Sequence, residues 1–174
     1  NDIKHFRSAY YSPVPRLLVA KQLRKYATAC IDISDGLVAD ALHLSQASNV
    51  NLTINIDDIP ISDQSQRWLL FQSDYDEALK NFLNWGDDYE LLFTSNSNND
   101  DLFKRVSSEL GLRLTKIGKV RKGEGVNVLK AKKLISFDLG HFQFNFIFRK
   151  LRYQVATKIP IIPPMIAPEI TSKG

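Results

Sequence analysis

Apolar and polar positions change their period several times along the chain, and each change marks an element. Between residues 16 and 26, Leu17, Leu18, Ala20 and Leu23 make an apolar stripe among basic neighbours, the spacing of an amphipathic helix. Pro13-Val14-Pro15 ahead of it is a rigid lead-in, and residues 1–13 are mixed and aromatic, with no element assigned. A strand is expected over 28–33, then a helix over 37–47 with Leu37, Ala41, Leu42 and Leu44 on or near one face. Over 51–56, Leu52, Ile54 and Ile56 alternate with Asn51, Thr53 and Asn55, the pattern of a half-buried strand. Helical segments follow at 66–71 and 74–84, and a further strand at 89–94. Leu102, Val106 and Leu110 predict a helix over 100–110 that stops at Gly111. Residues 114–120 and 126–129 read as a pair of strands joined by a hairpin at 121–125.

Strands and helices interleaved in this way predict an α+β protein, an α/β/α sandwich of layers around a mixed sheet. After Phe142 the pattern changes. Phe144, Phe146 and Phe148 alternate with polar residues, and Pro160, Pro163 and Pro164 then forbid regular helix or central strand. The expected division is a folded domain over 1–142 and a loosely docked or disordered extension over 143–174.

Composition adds limits. A chain of 174 residues, 44% apolar and 24% charged, has the makeup of an ordinary globular protein with a real core. One cysteine, Cys30, excludes an internal disulfide and is expected in the core of its strand. No apolar run approaches the ~20 residues of a membrane span, and the opening Asn-Asp-Ile-Lys-His is not the start of a signal peptide, so a cytoplasmic protein away from membranes is expected. The net charge of +4 comes from residues 143–174, where five basic residues face one acidic, leaving 18 of each sign elsewhere. That distribution argues against nucleic acid as a partner, which requires basic charge clustered on the folded body. His5, His43 and His141 have no zinc-ligand spacing.

Two segments carry chemistry. In Ile31-Asp32-Ile33-Ser34-Asp35-Gly36-Leu37, the alternation of a strand puts Asp32 and Ser34 on one face at its C-terminal end, where Asp35-Gly36 opens a helix. Ligands of layered α/β proteins bind at such ends, beside free backbone N–H groups. Mg²⁺ takes oxygen donors and bridges one or two carboxylates to phosphates, a task that Asp32 and Asp35 suit, with the Ser34 hydroxyl available to a phosphate oxygen. An N-cap is the structural alternative for Ser34-Asp35-Gly36. It leaves unexplained Asp32, whose burial in an apolar strand without a partner would be costly. The second segment, Trp85-Gly86-Asp87-Asp88-Tyr89-Glu90, reads structurally as an acidic turn before a strand, with Tyr89 packed and Glu90 facing water. Functionally, its carboxylates suit a cationic ring or an amine.

The order of these blocks, Pro-Val-Pro-Arg, then Asp-Ile-Ser-Asp-Gly-Leu, then Gly-Asp-Asp-Tyr-Glu-Leu-Leu-Phe-Thr, then Ile117-Gly118-Lys119-Val120, resembles thiamine-monophosphate kinase over residues 12–142. The resemblance implies the C-terminal domain of the aminoimidazole ribonucleotide synthetase superfamily, and a Mg²⁺-dependent transfer of the ATP γ-phosphoryl group to thiamine monophosphate in thiamine diphosphate biosynthesis. By motif it implies Asp32 and Asp35 as Mg²⁺ ligands, Ser34 as an ATP contact, and Asp87 and Leu139 as substrate contacts, with no catalytic residue assigned. Trp85 stands where the family has a glycine, Asp87 where it often has Glu, and Leu139 where it has an aromatic residue. The resemblance also implies an N-terminal domain that carries the ATP surface and most Mg²⁺ ligands, for which residues 1–11 are expected to offer no counterpart. The expectation is half an enzyme, inactive alone and completed by a separate N-terminal chain, with a non-catalytic remnant or protein-interaction module as the alternative.

Overall fold

Leu52, Ile54 and Ile56 are buried as their alternation requires, and the strand that carries the first two is an interior strand of the larger of two sheets, with Ile56 in the turn that follows it. The computed structural model describes residues 2–137. The elements in order are α1 (Asp2–Tyr11), α2 (Leu17–Tyr26), β1 (Ala27–Asp32), α3 (Leu37–Ser48), β2 (Val50–Asn55), α4 (Asp63–Leu70), α5 (Tyr75–Asn84), β3 (Leu91–Ser95), α6 (Asp100–Leu110), β4 (Gly118–Lys122), β5 (Val126–Lys130) and β6 (Lys133–Ile135). Among these residues no helix is long and apolar enough to cross a membrane. The expectations for Leu139 and for the extension 143–174 lie outside the described residues.

The strands form a two-stranded antiparallel sheet, β1-β3, and a four-stranded mixed sheet ordered β4-β2-β5-β6. In the first, Ile31 faces Leu92 and Asp32 faces Leu91. Its two faces are covered differently. Ala29, Ile33 and Leu92 join the main core with Leu37, Ala41, Leu69 and Phe82, while Phe93 packs with Val19, Leu23, Phe103 and Val106 of α2 and α6. The α/β/α layering is therefore built at this sheet, and α3 touches both β1 and the larger sheet. Local capping fixes the helix starts as short-range chemistry dictates: Ser62 accepts the Ser65 N–H at 3.1 Å before α4, and Asp74 accepts the Asp76 and Glu77 N–H groups at 3.0 Å before α5.

Two expectations are corrected, and a helix is found where none was assigned. Residues 114–129 form no hairpin, because β2 lies between β4 and β5, antiparallel to the first and parallel to the second. The chain instead crosses the start of β2, where the buried Ser45 hydroxyl accepts the Gly125 N–H at 2.8 Å and donates to the Val50 carbonyl at 2.7 Å. The Leu52 N–H completes the crossover by donating to the Gly125 carbonyl at 2.9 Å. Residues 2–11 form a helix with no buried side chain, anchored by the Arg67–Asp2 ion pair at 2.8 Å. Cys30 is exposed, because β1 alternates so that Ala29 and Ile33 take the core and Cys30 and Asp32 do not.

Candidate functional site

The two acidic segments meet. β1 runs out at Asp32 directly opposite the start of β3, and the backbone pairing continues past both strands. The Ile33 N–H donates to the Glu90 carbonyl at 2.8 Å, the Tyr89 N–H to the Ile33 carbonyl at 2.9 Å, and the Asp87 N–H to the Ser34 carbonyl at 2.9 Å. Asp87 and Tyr89 adopt positive φ values of 64° and 50° to make this track, a conformation that is unfavourable for a tyrosine. A Cβ on Gly86 would lie 2.0 Å from the Ser34 carbonyl oxygen, so only glycine permits the approach. Gly36, at φ 110°, is packed likewise on the backbone of Asn84.

One buried carboxylate shapes the Ser34-Asp35 turn. Asp40, in the first turn of α3 and 2% exposed, accepts the Ser34 N–H at 2.9 Å and the Asp35 N–H at 3.0 Å on a single oxygen. Burial pushes its pKa up, and the two N–H donors oppose that rise. The turn is thus tied from within its own helix, while Asp32 and Asp35 stand exposed and their side chains enter no hydrogen bond or ion pair with another described residue. The exposure of Asp32 corrects the expectation of a carboxylate buried in its strand: it sits at the strand's end on the open face. Asp35, Asp40 and His43 offer ligand atoms within 4.8 Å of one another, so His43 stands beside two carboxylates.

The second segment inverts its structural expectation. Glu90 is buried at 5% exposure, and Tyr89 is exposed. Arg16, the residue before α2, reaches Glu90 with a two-pronged contact, Nε to Oε2 at 2.9 Å and Nη2 to Oε1 at 2.5 Å. The hydrogen bond to Glu90 raises the Arg16 pKa further. The Tyr89 hydroxyl donates to Asp87 Oδ1 at 2.8 Å, which holds the phenol pKa above its ordinary value. Trp85 packs against Trp68 and Phe82 with ring centroids 5.6 and 6.4 Å away, on the main core.

The backbone bonds between the two segments bring Asp32, Ser34, Asp35 and Asp87 onto one rim of the fold. Asp40, Arg16 and Glu90 were not singled out. Asp40 left a local signal, an acidic residue amid the apolar Leu37, Val38, Ala41 and Leu44 of its helix. The Arg16–Glu90 pair left none, since 74 positions separate its members.

The donor set suits a hard cation. Two uncommitted carboxylates and a hydroxyl, all oxygen, stand at a strand end beside the opening of a helix, which fits Mg²⁺ and phosphate rather than a thiophilic metal.

A family model described as AIR synthase related protein, C-terminal domain, matches residues 13–130. The thiamine-monophosphate kinase of Caulobacter vibrioides is 32% identical over 118 residues, which cover 68% of this chain and 34% of that protein. The crystal structure of thiamine-monophosphate kinase from Stenotrophomonas maltophilia K279a has a TM-score of 0.67 at 36% identity, over 73% of this chain and 39% of that one. AaThiL complexed with AMPPCP and TMP has a TM-score of 0.58 at 30% identity, over 86% of this chain and 40% of that one. The mixed α+β fold of this chain matches the two solved structures. The chain spans well under half the length of these relatives.

Proposed function

Since the chain belongs to the AIR synthase related protein, C-terminal domain family, we propose that it forms the C-terminal half of a thiamine-monophosphate kinase. In this reading, residues 1–142 are that domain and 143–174 an appended extension. The observation that carries the proposal is the backbone bond from Asp87 to Ser34, which sets both acidic segments on one rim in a chain similar to thiamine-monophosphate kinases.

Asp32 and Asp35 would hold Mg²⁺, and the Ser34 hydroxyl would donate to a phosphate oxygen of ATP. Bound there, Mg²⁺ supplies charge neutralisation on the phosphates, the main requirement of phosphoryl transfer. The protein's own work is positioning. Asp40 fixes the Ser34-Asp35 turn, so the two carboxylates and the hydroxyl need little reorganisation when the phosphates arrive. Asp87 would face the cationic portion of thiamine monophosphate, its orientation set by the Tyr89 hydroxyl. Leu139 would complete the substrate contact.

The part of the relatives outside the match, on the same polypeptide or a separate one, would supply the ATP surface and the remaining Mg²⁺ ligands. Residues 1–174 alone are then inactive, and their work is confined to the cytoplasm, where ATP and thiamine monophosphate are found.

A binding measurement tests the reading at the rim. Titration of an ATP analogue with Mg²⁺ into the completed protein is expected to lose at least tenfold in affinity with Asp32→Asn and Asp35→Asn. Unchanged Mg²⁺-dependent affinity in both variants would favour a non-catalytic remnant that keeps the fold.

A further inference from the structure

The far end of the two-stranded sheet holds a second concave site. Asp32 pairs with Leu91 at one end and Ala27 with Ser95 at the other, so the two ends lie about 16 Å apart at the usual strand rise. Beyond Ser95, in the gap between α6 and the outer edge of β4, is a cavity of about 870 Å³. That volume is in the range of small-ligand sites.

Its charge is one-sided. Lys104, Lys116, Lys119, Arg121 and Lys122 line it, against the single carboxylate of Asp100. Asp100 is already engaged by Lys116, and Lys104 by Asp101 at 2.6 Å. Lys119, Arg121 and Lys122 enter no ion pair with another described residue. The first two share one face of β4, about 7 Å apart by strand geometry. Charge arithmetic along the sequence hides this cluster, because residues 1–142 are balanced overall. Phe103 and Leu114 give the cavity an apolar floor, while Val120, on the opposite face of β4 from Lys119 and Arg121, packs toward the main core.

Lysines on an edge strand also discourage sheet-to-sheet pairing. That role asks for neither a cavity nor the convergence of lysines from α6 and from the loop before β4. Three unengaged cations around an apolar floor are the complement of a compact polyanion with phosphate groups, attached to an apolar or aromatic body.

We infer that the cavity between α6 and β4 binds a small polyphosphorylated ligand, at a site separate from the Asp32–Asp87 rim and independent of divalent metal. No carboxylate in the cavity is free to hold Mg²⁺, whereas binding at the rim requires it. The two sites are therefore separable by chelation.

The test is calorimetric titration of the full 174-residue chain with inorganic triphosphate in EDTA at low salt. The expected result is one site whose affinity falls at least tenfold in the Lys119→Gln/Arg121→Gln/Lys122→Gln variant and is unchanged in Asp32→Asn/Asp35→Asn. The basic residues beyond position 142 are intact in every variant, so equal affinity in the triple variant assigns binding to them and overturns the inference. Absence of binding in EDTA overturns it as well. So does tighter binding of a single-stranded oligonucleotide than of triphosphate, which would make the face a nucleic-acid surface. Amide shift mapping on the unaltered chain gives the same decision without a variant: shifts at residues 118–122 and 96–97 support the site, and shifts confined elsewhere refute it.

Discussion

The Cα of Gly86 faces the Ser34 carbonyl so closely that a methyl group there would lie 2.0 Å from the oxygen. This contact sets the distance between the two acidic segments, and with it the width of the rim on which Asp32, Asp35 and Asp87 stand. Gly86→Ala must push the 86–90 loop off the Ser34 turn. The expected cost is about 1–3 kcal/mol by urea unfolding, the usual range for overpacking. If the substitution leaves both stability and Mg²⁺-dependent nucleotide affinity unchanged, the close approach does not set the site.

Arg16 and Glu90 tie the start of α2 to the same loop. Glu90 is buried, and removing its partner leaves a carboxylate stranded. Arg16→Ala is expected to destabilise by about 3 kcal/mol, and Arg16→Lys to recover only part, because an ammonium cannot reproduce the two-pronged contact. A double-mutant cycle with Glu90→Gln checks the pairing: a coupling energy near zero would show that the ion pair adds nothing.

Asp40 makes a comparably specific prediction. Asp40→Ala strands the N–H groups of Ser34 and Asp35, at about 1–3 kcal/mol for each one left buried without a partner. Asp40→Asn keeps an acceptor in place and should lose much less. Equal losses in the two variants, measured by thermal unfolding, would mean that packing rather than the turn's hydrogen bonds is at stake.

Cys30 titrates late. Its thiol is pushed up to about 11 by the desolvation of its sulfur and, secondarily, by Asp32 on the same face. The thiolate fraction is small at neutral pH, so alkylation of this exposed cysteine should be slow there and accelerate with an inflection near 11. Asp32→Asn removes the adjacent negative charge and should move the inflection down. An inflection at an ordinary thiol pKa in the unaltered chain would contradict the environment described.

Much of the fold was legible because it is local. The stripe of Leu17, Leu18, Ala20 and Leu23 marked α2 to within a residue of its start, and Leu102, Val106, Leu110 with Gly111 marked α6 to its end. Alternation found β2 but said nothing of its neighbours. The hairpin expected for residues 114–129 was overturned because Leu52 and Ile54 accept partners on both edges of β2, a choice made by tertiary contacts such as Ser45 to Gly125. Helix α1 was missed because none of its side chains is buried, so no apolar stripe records it.

The candidate site divides in the same way. Asp32, Ser34, Asp35 and Asp87 stood out because each sits in a short motif whose backbone needs are local. Asp40 was overshadowed by its apolar neighbours. Arg16 and Glu90 could not be matched from the sequence, since nothing in the spacing of two residues 74 positions apart reveals a bidentate contact.

The central claim is that this chain is half of a phosphotransferase site. Its most direct test is reconstitution: the 174-residue chain is combined with the N-terminal portion of a thiamine-monophosphate kinase relative, and thiamine diphosphate formation from ATP and thiamine monophosphate is followed with Mg²⁺ present. The account predicts no product from either part alone and turnover from the mixture, abolished by Asp32→Asn or Asp35→Asn. A folded complex of the two parts with no turnover, or turnover indifferent to both substitutions, would contradict it.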